Sequence, residues 1–475
     1  MSMFKGFSNA FRIPELRKKI LVTLGLVVVC RLVAQVPAIG VDWVALQEAV
    51  KARAAAASGF SMFDWFDAFT GGALGQCSIG FLSIWPYISA QIVIQLLSSV
   101  IPSLQKMKKE GENGRQQLAQ ITRYLTIVLC LAQSFGVCTA LINPKTMLGL
   151  DGVIVPAIAD PAVDPTFGFY FMNMIGMTTA SLFVMWVADQ ITTFGVGNGG
   201  SLIIMINITS RLPRAIEDVW HRYFHSLTGS TASIAEFAIV MLIGFAVIMG
   251  TVMLTQGVRK VAIHATRRSL AGGNTYGMQQ TFMPLRVNYS GVMPIIFAQP
   301  LIQIPGALLE KIKHTGGENG FLDALHNIGA ALSDPTSTTH LLVMAVFILF
   351  FAFFWVATQF NAVEIADNLK KDGSYVPGIR PGAATAEYLD AVMTRVTLIG
   401  GTGLLVVALV PSLLTRLFSK PTPLSWSIAS FFGGTSLLII VGVALDTLRI
   451  MESHLLVRKY DGFLRHGTLR GRGGM

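Results

Sequence analysis

The chain has 475 residues, of which 52% are hydrophobic and only 13% are charged. Together with a positive mean hydropathy, this composition excludes an ordinary soluble protein and indicates a polytopic membrane protein. The formal net charge of +10 suits a surface that meets anionic lipids, ribosomal RNA or an acidic protein, although basic residues also serve simply to orient membrane spans.

The chain begins with a basic segment, residues 1–19, in which Phe4, Phe7 and Phe11 are spaced as on one face of a helix. We expect this segment to lie in the membrane interface. No small-residue cleavage site follows it, so the first span, Ile20–Val41, is expected to be retained. Arg31 falls within that span, where its side chain either reaches the interface or hydrogen-bonds inside the helix bundle.

The second hydrophobic segment, Gly71–Ile101, is interrupted by Pro86. Its first part, Gly71–Ser83, would make a helix of ~20 Å, which is too short to cross a hydrocarbon core of ~30 Å. The part that begins at Ile84 is long enough to span. A half-helix joined to a full helix inside a membrane needs protein or a water-filled cavity around its exposed backbone. This segment therefore predicts a pore or a transport site.

Eight further spans are predicted in chain order, and the fifth of the ten is the shortest. They are Tyr124–Ile142, Phe169–Val187, Gly199–Leu212, Ile234–Leu254, Gly291–Leu308, Leu341–Thr358, Val396–Leu414 and Ile428–Ile450. Most of the 36 Lys and Arg residues fall on the side that both termini share. The positive-inside rule therefore predicts that both termini are cytoplasmic.

Two pairs of spans resemble each other in sequence. Ile84–Gln91 and Val292–Gln299 carry Pro, Ile, Ala and Gln in the same register, and Gly199–Ile204 is echoed by Gly433–Ile440. Both pairs lie five spans apart, which indicates that spans 1–5 repeat as spans 6–10. An odd number of spans in each repeat makes the two halves inverted in the membrane. The predicted fold is therefore all-α, with ten spans in two inverted halves.

The sequence contains no pattern typical of an enzyme or of a metal site. The four cysteines lie in or beside apolar spans without a C-x-x-C motif or a suitable histidine spacing, and are expected to be small buried apolar residues. The glycine-rich stretch Gly195–Gly200 lacks the strand and lysine of a phosphate-binding loop and is expected to open span 5. We therefore predict no catalytic residue, no cofactor and no metal.

Few ionisable residues lie well inside the predicted spans. They are Arg31 and Asp446, and Asp446 has Arg449 three residues later as a local partner. Ion-coupled transport usually needs ionisable side chains at membrane depth. A pathway lined by apolar side chains therefore fits the sequence better than a proton or sodium relay.

Several long stretches closely resemble the SecY family, whose members are central subunits of the bacterial protein-translocation channel. They are Arg12–Ile20, Phe69–Leu97, Gly195–Gly199, Asn368–Gly382 and Phe432–Ile439. The resemblance covers nearly the whole chain in order. It implies two halves around an hourglass pore, a short half-helix at about 63–83 that plugs the outer funnel, and a lateral gate between spans 2 and 7.

The resemblance also implies which residues do what. The pore ring is Ile84, Ile88, Ile204, Ile208, Ile296 and Ile439. The plug residues are Phe69, Gly71, Gly72 and Cys77, and the lateral gate residues are Ser89, Gln95 and Phe297. For Gln95 the implied role is a hydrogen bond across the gate; the alternative is a bond within its own helix bundle.

The residues themselves agree with a ring. Ile84 and Ile88 are four apart and share a helix face, as do Ile204 and Ile208. Apolar side chains offer no strong binding site to a passing polypeptide, and at a narrow waist they exclude water and ions by dewetting. The alternative is that these are ordinary core or lipid-facing isoleucines.

The predicted cytoplasmic loops are basic, which is typical of docking surfaces. Arg267 and Arg268 lie in the loop between spans 6 and 7, and Arg380 lies between spans 8 and 9 in a turn framed by Gly378 and Gly382. The resemblance implies these partners: the ribosome, the motor ATPase SecA, the subunits SecE and SecG, signal sequences, nascent chains and anionic lipids.

The expected function is passage of unfolded secretory polypeptides across the bacterial inner membrane, with lateral release of membrane segments. The expected organisation is a basic segment 1–19, a first half 20–212, an external loop 213–233, a second half 234–450 and a basic tail 451–475. Two alternatives remain open. A secondary transporter for a small solute would show substrate-dependent flux, and an insertase scaffold would offer no aqueous path to a secreted segment.

Overall fold

The computed structural model describes residues 13–42, 44–46, 48, 70–73, 75–142, 166–225, 234–265, 280–310, 320–418, 428–429, 431 and 434–466. Phe69, Arg267 and Arg268, for which the family resemblance implies plug and docking roles, lie outside this range. By its contacts the chain divides into two compact units. Unit 1 comprises Met1–Ser58, Phe63–Arg211 and Val443–Met475, and unit 2 comprises Gly59–Met62 and Leu212–Gly442.

Helices make up most of the described chain. In chain order they are α1 (Pro14–Val33), α2 (Trp85–Val100), α3 (Pro102–Lys109), α4 (Glu112–Ile142), α5 (Thr166–Phe194), α6 (Gly199–Thr209), α7 (Leu212–Trp220), α8 (Ile234–Gln256), α9 (Met293–Glu310), α10 (Gly320–Ser333), α11 (Thr338–Gln359), α12 (Ala362–Lys371), α13 (Ala383–Leu417) and α14 (Thr435–His466). A 3-10 turn, Ile79–Leu82, precedes α2, and a π-helical turn, His221–His225, continues α7.

In the described part of the chain, seven helices are long and apolar enough to cross a membrane. They contain α2, α4, α5, α8, α9, α11 and α13, which correspond to predicted spans 2, 3, 4, 6, 7, 8 and 9. Spans 1, 5 and 10 correspond to α1, α6 and α14. Of these, α6 has only 11 residues, or ~16 Å, while α1 and α14 carry charged side chains such as Arg31 and Asp446.

The helices extend beyond several predicted spans. One example is α13, which begins at Ala383 although the sequence predicts span 9 from Val396. Hydropathy identifies the part of a helix that lies in lipid, whereas the helix itself continues into polar surroundings as long as its backbone bonds are made.

The chain between Thr70 and Ile84 differs from the half-helix predicted over Gly71–Ser83. Gly71 and Gly72 adopt φ angles of 71° and 87°, which interrupt a right-handed helix. Turns follow, and the next helical element among the described residues is the 3-10 turn Ile79–Leu82. Ser83, at a φ of 46°, then interrupts the helical backbone again. The two prolines of the internal repeat, in contrast, take equivalent places, because Pro86 and Pro294 are each the second residue of their helix.

Unit 1 has a core beneath this irregular segment. Cys77, Phe81 and Leu82 pack there with residues from α4 and α5, among them Cys138 and Met177. The buried cysteines are free thiols in the described structure, so the prediction that they act as small apolar residues is confirmed.

Unit 2 has a core shared by α8, α9, α11, α13 and the first turn of α14. Its buried members include Val247, Ile295, Ala298, Ile302, Met344, Ile348, Leu404, Val407, Leu437 and Leu438. They recur at helical spacing on α9, at positions 295, 298 and 302, and so define the face of that helix that is turned into the unit.

The loop segments between spans 6 and 7 and between spans 8 and 9 form a small sheet that was not predicted from the sequence. Strand β1 (Val258–Ala265) pairs antiparallel with β2 (Gln280–Arg286) and with the short β3 (Ser374–Tyr375). The order is β2-β1-β3. Val261 and Ile263 alternate into the protein while charged residues remain exposed.

The segment expected to be an external loop, 213–233, is helical as far as His225. It is tied to α8 by an ion pair of 2.8 Å between Arg222 Nη2 and Glu236 Oε1, with both side chains about 15% exposed. The Tyr223 hydroxyl donates to the same carboxylate oxygen at 2.9 Å. Burial and this carboxylate raise the pKa of Tyr223 to about 12, so the hydroxyl keeps its proton at neutral pH.

We expect Glu236→Gln to lower the free energy of unfolding by about 3 kcal/mol, because it removes the carboxylate charge that the largely buried Arg222 guanidinium contacts at 2.8 Å. The measurement is the thermal unfolding midpoint of the purified protein in detergent. Glu217→Gln is the matched control: its contact with His221 is 3.8 Å long and both side chains are exposed, so an effect within about 0.5 kcal/mol is expected. Equal midpoints for the two variants would show that the ion pair between Arg222 and Glu236 does not stabilise the fold.

Candidate functional site

The isoleucines assigned to the ring in unit 1 lie at the start of α2 and along α6. Ile84 directly precedes α2 and is 2% exposed, and its carbonyl accepts the Ile88 amide at 3.1 Å. A Cβ placed on Gly200 would lie 3.6 Å from Ile84 Cδ1, so Ile84 packs against the first turn of α6. On α6 itself Ile208 is buried and Ile204 is partly buried.

The start of α6 is held closely by its neighbours. The Asn198 side chain accepts the Ser201 amide at 3.2 Å and caps the helix. Gly199 lies against the Ala188 backbone so closely that a Cβ would overlap the Ala188 carbonyl oxygen. Residues 195–198 therefore form the loop that opens this span, as the sequence predicts, and fix where Ile204 and Ile208 lie.

The ring isoleucines of unit 2 are also buried: Ile296 is 3% exposed and Ile439 is 2% exposed. Ile296 directly follows Ile295, and Ile439 directly follows Leu438; Ile295 and Leu438 both belong to the unit 2 core. One residue along a helix is a turn of about 100°. Ile296 and Ile439 are therefore each turned by about 100° from a residue of the unit 2 core.

The plug candidates that the structure describes are anchored to the end of span 1. The Ala38 amide donates to the Cys77 carbonyl at 2.8 Å, and the Ile79 amide donates to the Val36 carbonyl at 2.8 Å. Gly80 lies so near the Val33 carbonyl oxygen that a Cβ would come within 2.8 Å of it. This part of the segment is thus paired to backbone rather than free in a cavity.

A cluster of polar groups surrounds Gly71, and Arg31 is at its centre. Arg31 donates to Gly71 O at 3.3 Å and to Asn207 Oδ1 at 3.2 Å. Asn207 Nδ2 donates to Ser83 Oγ at 3.0 Å, and Ser181 Oγ donates to Ser83 O at 2.7 Å. The sequence allows Arg31 a bond inside the bundle but does not identify its partners; an asparagine in the apolar span 5 is the signal that points to them.

The lateral gate candidates make contacts within their own units. Ser89 Oγ donates to the Trp85 carbonyl of the same helix at 3.0 Å, and Gln95 is partly buried on α2. The Phe297 ring lies 5.6 Å from the ring centroids of both Phe351 and Trp355 on α11.

The docking candidate that the structure describes, Arg380, is exposed three residues before the start of α13. Its carbonyl accepts the Thr385 hydroxyl at 2.9 Å, and Gly378 and Gly382 have φ angles of 79° and 105°. The side chain thus projects from a turn with a defined backbone. The exposed Arg259 and Lys260 lie on β1 of the sheet that joins this loop to the preceding one.

Two ion pairs join ionisable groups on the spanning helices. Arg123 on α4 and Asp189 on α5 form an ion pair of 2.9 Å. Asp446 and Arg449 are 3.7 Å apart, which confirms the predicted local pair. Among the residues that the structure describes, no group of three His, Cys, Asp or Glu residues could hold a metal ion.

Sequence comparison matches this chain along its length. A sequence model of the SecY family matches residues 78–448. "Protein translocase subunit SecY" of Streptomyces coelicolor is 38% identical over 466 residues, which covers 98% of this chain and 100% of the relative. The protein of the same name from Escherichia coli K12 is 37% identical over 462 residues, covering 97% and 96%.

Solved channel structures share the fold. One described as "The structure of a protein conducting channel" has a TM-score of 0.58 at 15% identity, and a canine Sec61 in a ribosome-channel complex has 0.59 at 16%. A third, a SecY protein whose plug domain is said to stabilise the closed state, has 0.54 at 15%. Each likeness covers 97% of this chain and 98% of the other.

The likeness confirms the predicted fold class, an all-α membrane protein of ten spanning helices in two inverted halves. The relatives are named as translocase subunits rather than enzymes. With the family match over most of the chain and relatives of 37–38% identity over their full length, this chain belongs to the SecY family.

Proposed function

We propose that this chain is the channel subunit of a protein translocase in a bacterial inner membrane, with both termini cytoplasmic. The observation that carries the proposal is the 38% identity to a named SecY subunit over 98% of the chain. The direct test is transport of a secretory precursor into vesicles that contain the purified protein with its partners. Flux of a small solute without precursor transport would favour a secondary transporter instead.

The pore of this channel is sealed by Ile84, Ile88, Ile204, Ile208, Ile296 and Ile439. The support is their burial together with their positions on the helices: Ile84 packs on the start of α6, and Ile296 and Ile439 each follow a residue of the unit 2 core. A ring of branched apolar side chains offers no strong binding site, so any polypeptide sequence can pass. When the ring is narrow, it excludes water and ions.

The segment from about 63 to 83 is the plug, and spans 2 and 7 form the lateral gate. The repeated Pro86 and Pro294, each the second residue of its helix, support treating α2 and α9 as equivalent elements of the two halves. A signal sequence is an apolar helix that gains free energy by reaching lipid, so the gate is the route by which it leaves the pore. Ser89, Gln95 and Phe297 belong to this gate.

The exposed basic turn at Arg380 and the adjoining sheet form a cytoplasmic docking surface for the ribosome and the motor ATPase SecA. The support is the positive charge, the defined turn and the joining of both loops in one sheet. We extend this surface to Arg267 and Arg268. The further proposed partners are SecE and SecG as fellow subunits, signal sequences and nascent chains as cargo, and anionic lipids.

Replacing Ile439 with Asn should open the seal, because a polar amide at the waist lowers the barrier to wetting. We expect higher resting ion conductance in planar bilayers and transport of precursors with weakened signal sequences. Ile439→Val, which stays apolar, should behave like the wild type. Unchanged conductance and selectivity in Ile439→Asn would overturn the ring assignment.

Reversing the charge of Arg380 should abolish motor-driven transport without unfolding the protein. Loss of a charge-assisted hydrogen bond alone weakens docking by about 1.5–3 kcal/mol, and repulsion adds to this. The measurements are stimulation of SecA ATPase activity and precursor import into vesicles. Arg416→Glu is the matched control. Arg416 is in the last turn of α13, the 35-residue helix that begins three residues after Arg380, and so lies ~50 Å away. Normal import by Arg380→Glu would show that the turn is only a linker.

A short crosslink between α2 and α9 should stop transport, whereas a long flexible one should allow it. In a variant without the four native cysteines, new cysteines would be scanned over positions 89–95 and 297–304, and import would be measured before and after crosslinking. A cysteine pair at Phe224 and Phe237, whose rings already pack at 5.5 Å within unit 2, is the control and should not block. Undiminished transport through every short α2–α9 crosslink would contradict the gate.

A further inference from the structure

Arg31 on span 1 bonds to two segments that are distant in the sequence. Its guanidinium donates to the Gly71 carbonyl at 3.3 Å and to Asn207 Oδ1 at 3.2 Å. A charged side chain within a spanning helix is unfavourable unless the protein supplies partners, and such side chains usually serve a function. The pore, gate and docking roles described above do not account for this one.

The close approach of Arg31 to Gly71 is built into the backbone. Gly71 has a φ of 71°, and a Cβ there would lie 2.6 Å from Arg31 Nη1 and 2.8 Å from the Asn207 carbonyl oxygen. A larger residue would be strained and would displace the guanidinium. Ser210 Oγ lies 3.2 Å from the Gly71 carbonyl oxygen as well, so two side chains converge on one carbonyl.

Asn207 connects the same contact to the start of span 2. Its side-chain amide accepts from Arg31 and donates to Ser83 Oγ at 3.0 Å. Ser83 directly precedes Ile84, and Asn207 directly precedes Ile208 on α6. Asn207 is 5% exposed. One hydrogen-bonded cluster therefore holds the segment at Gly71 and the entry to α2 against span 5, beside two isoleucines of the ring.

We propose that Arg31 is a positioning residue that latches the plug to span 5 and thereby sets how strong a signal sequence must be to open the channel. The inference rests on the proposed channel function. Withdrawal of the plug breaks the bond to the Gly71 carbonyl and leaves a charged group short of a partner in apolar surroundings. The latch therefore stabilises the closed state. The free energy gained by an apolar signal helix when it reaches lipid must offset the loss of this bond before the channel opens.

The test compares Arg31→Met with the wild type, reconstituted with its partner subunits in planar bilayers and vesicles. Loss of two charge-assisted bonds should raise the resting ion conductance by about tenfold and allow transport of precursors with defective signal sequences. Arg31→Lys should restore part of the seal, since one ammonium still reaches one acceptor. Arg449→Met is the matched control, because Arg449 pairs locally with Asp446 at 3.7 Å, and should stay tight.

Asn207→Ala tests the same cluster by removing the other side chain of the Arg31–Asn207 bond. Asn207→Ala should leak less than Arg31→Met, and the double variant should leak no more than Arg31→Met alone, since both changes break one cluster. Folding is checked by thermal midpoint and elution. A folded Arg31→Met that seals like the wild type overturns the latch; if that variant does not fold, a tight Asn207→Ala overturns it.

The Ile439→Asn variant separates this inference from the proposed function. A leak in Ile439→Asn together with a tight Arg31→Met overturns the latch and leaves the ring standing. Tight channels in both variants overturn the proposed pore as well.

Discussion

Backbone groups that leave a helix inside a membrane must find partners in the protein, because no water is available to bond them. The stretch between Thr70 and Ile84 contains such backbone groups, because most of it is not helical. Its carbonyls and amides are met by the end of span 1 at Val36 and Ala38, and by the side chains of Arg31 and Ser181. Hydrogen bonds to this one irregular segment therefore connect spans 1, 4 and 5 of unit 1.

The same helix that supports this segment carries two opposite kinds of side chain. On α6, Ile204 and Ile208 are four residues apart and share a face, whereas Asn207 lies on the neighbouring face. The polar face binds Arg31 and Ser83, so it fixes the position of the helix. Apolar side chains form no directional bond, so on the proposed function Ile204 and Ile208 can seal the pore without binding the passing polypeptide. A channel that must both close and release a polypeptide needs helices that are fixed in position and a lining that binds nothing. On α6 the polar contacts and the isoleucines meet these two needs from neighbouring faces.

Hydropathy and repeat patterns predict the spans, the break before α2 and the inverted halves, because these features depend on the composition of local segments. The partners of Arg31 could not be predicted, since Asn207 is 176 residues away and only packing brings the two together. The strands β1 and β2 were missed because basic residues interrupt their alternation of apolar side chains. The predicted helix over Gly71–Ser83 is interrupted at two adjacent glycines, which adopt positive φ angles without the steric strain that other residues would have there.

The three-stranded sheet packs against α11 and α13 of unit 2. Val261 of β1 packs in one cluster with Val356 of α11 and Val396 of α13. The same two helices pack further along against α9, which contributes Ile295 to the main core of the unit. Closely packed interiors transmit displacement because they compress little. On the proposed function, a partner bound at the sheet therefore acts on a body that includes span 7 and its ring residue, without touching the pore itself.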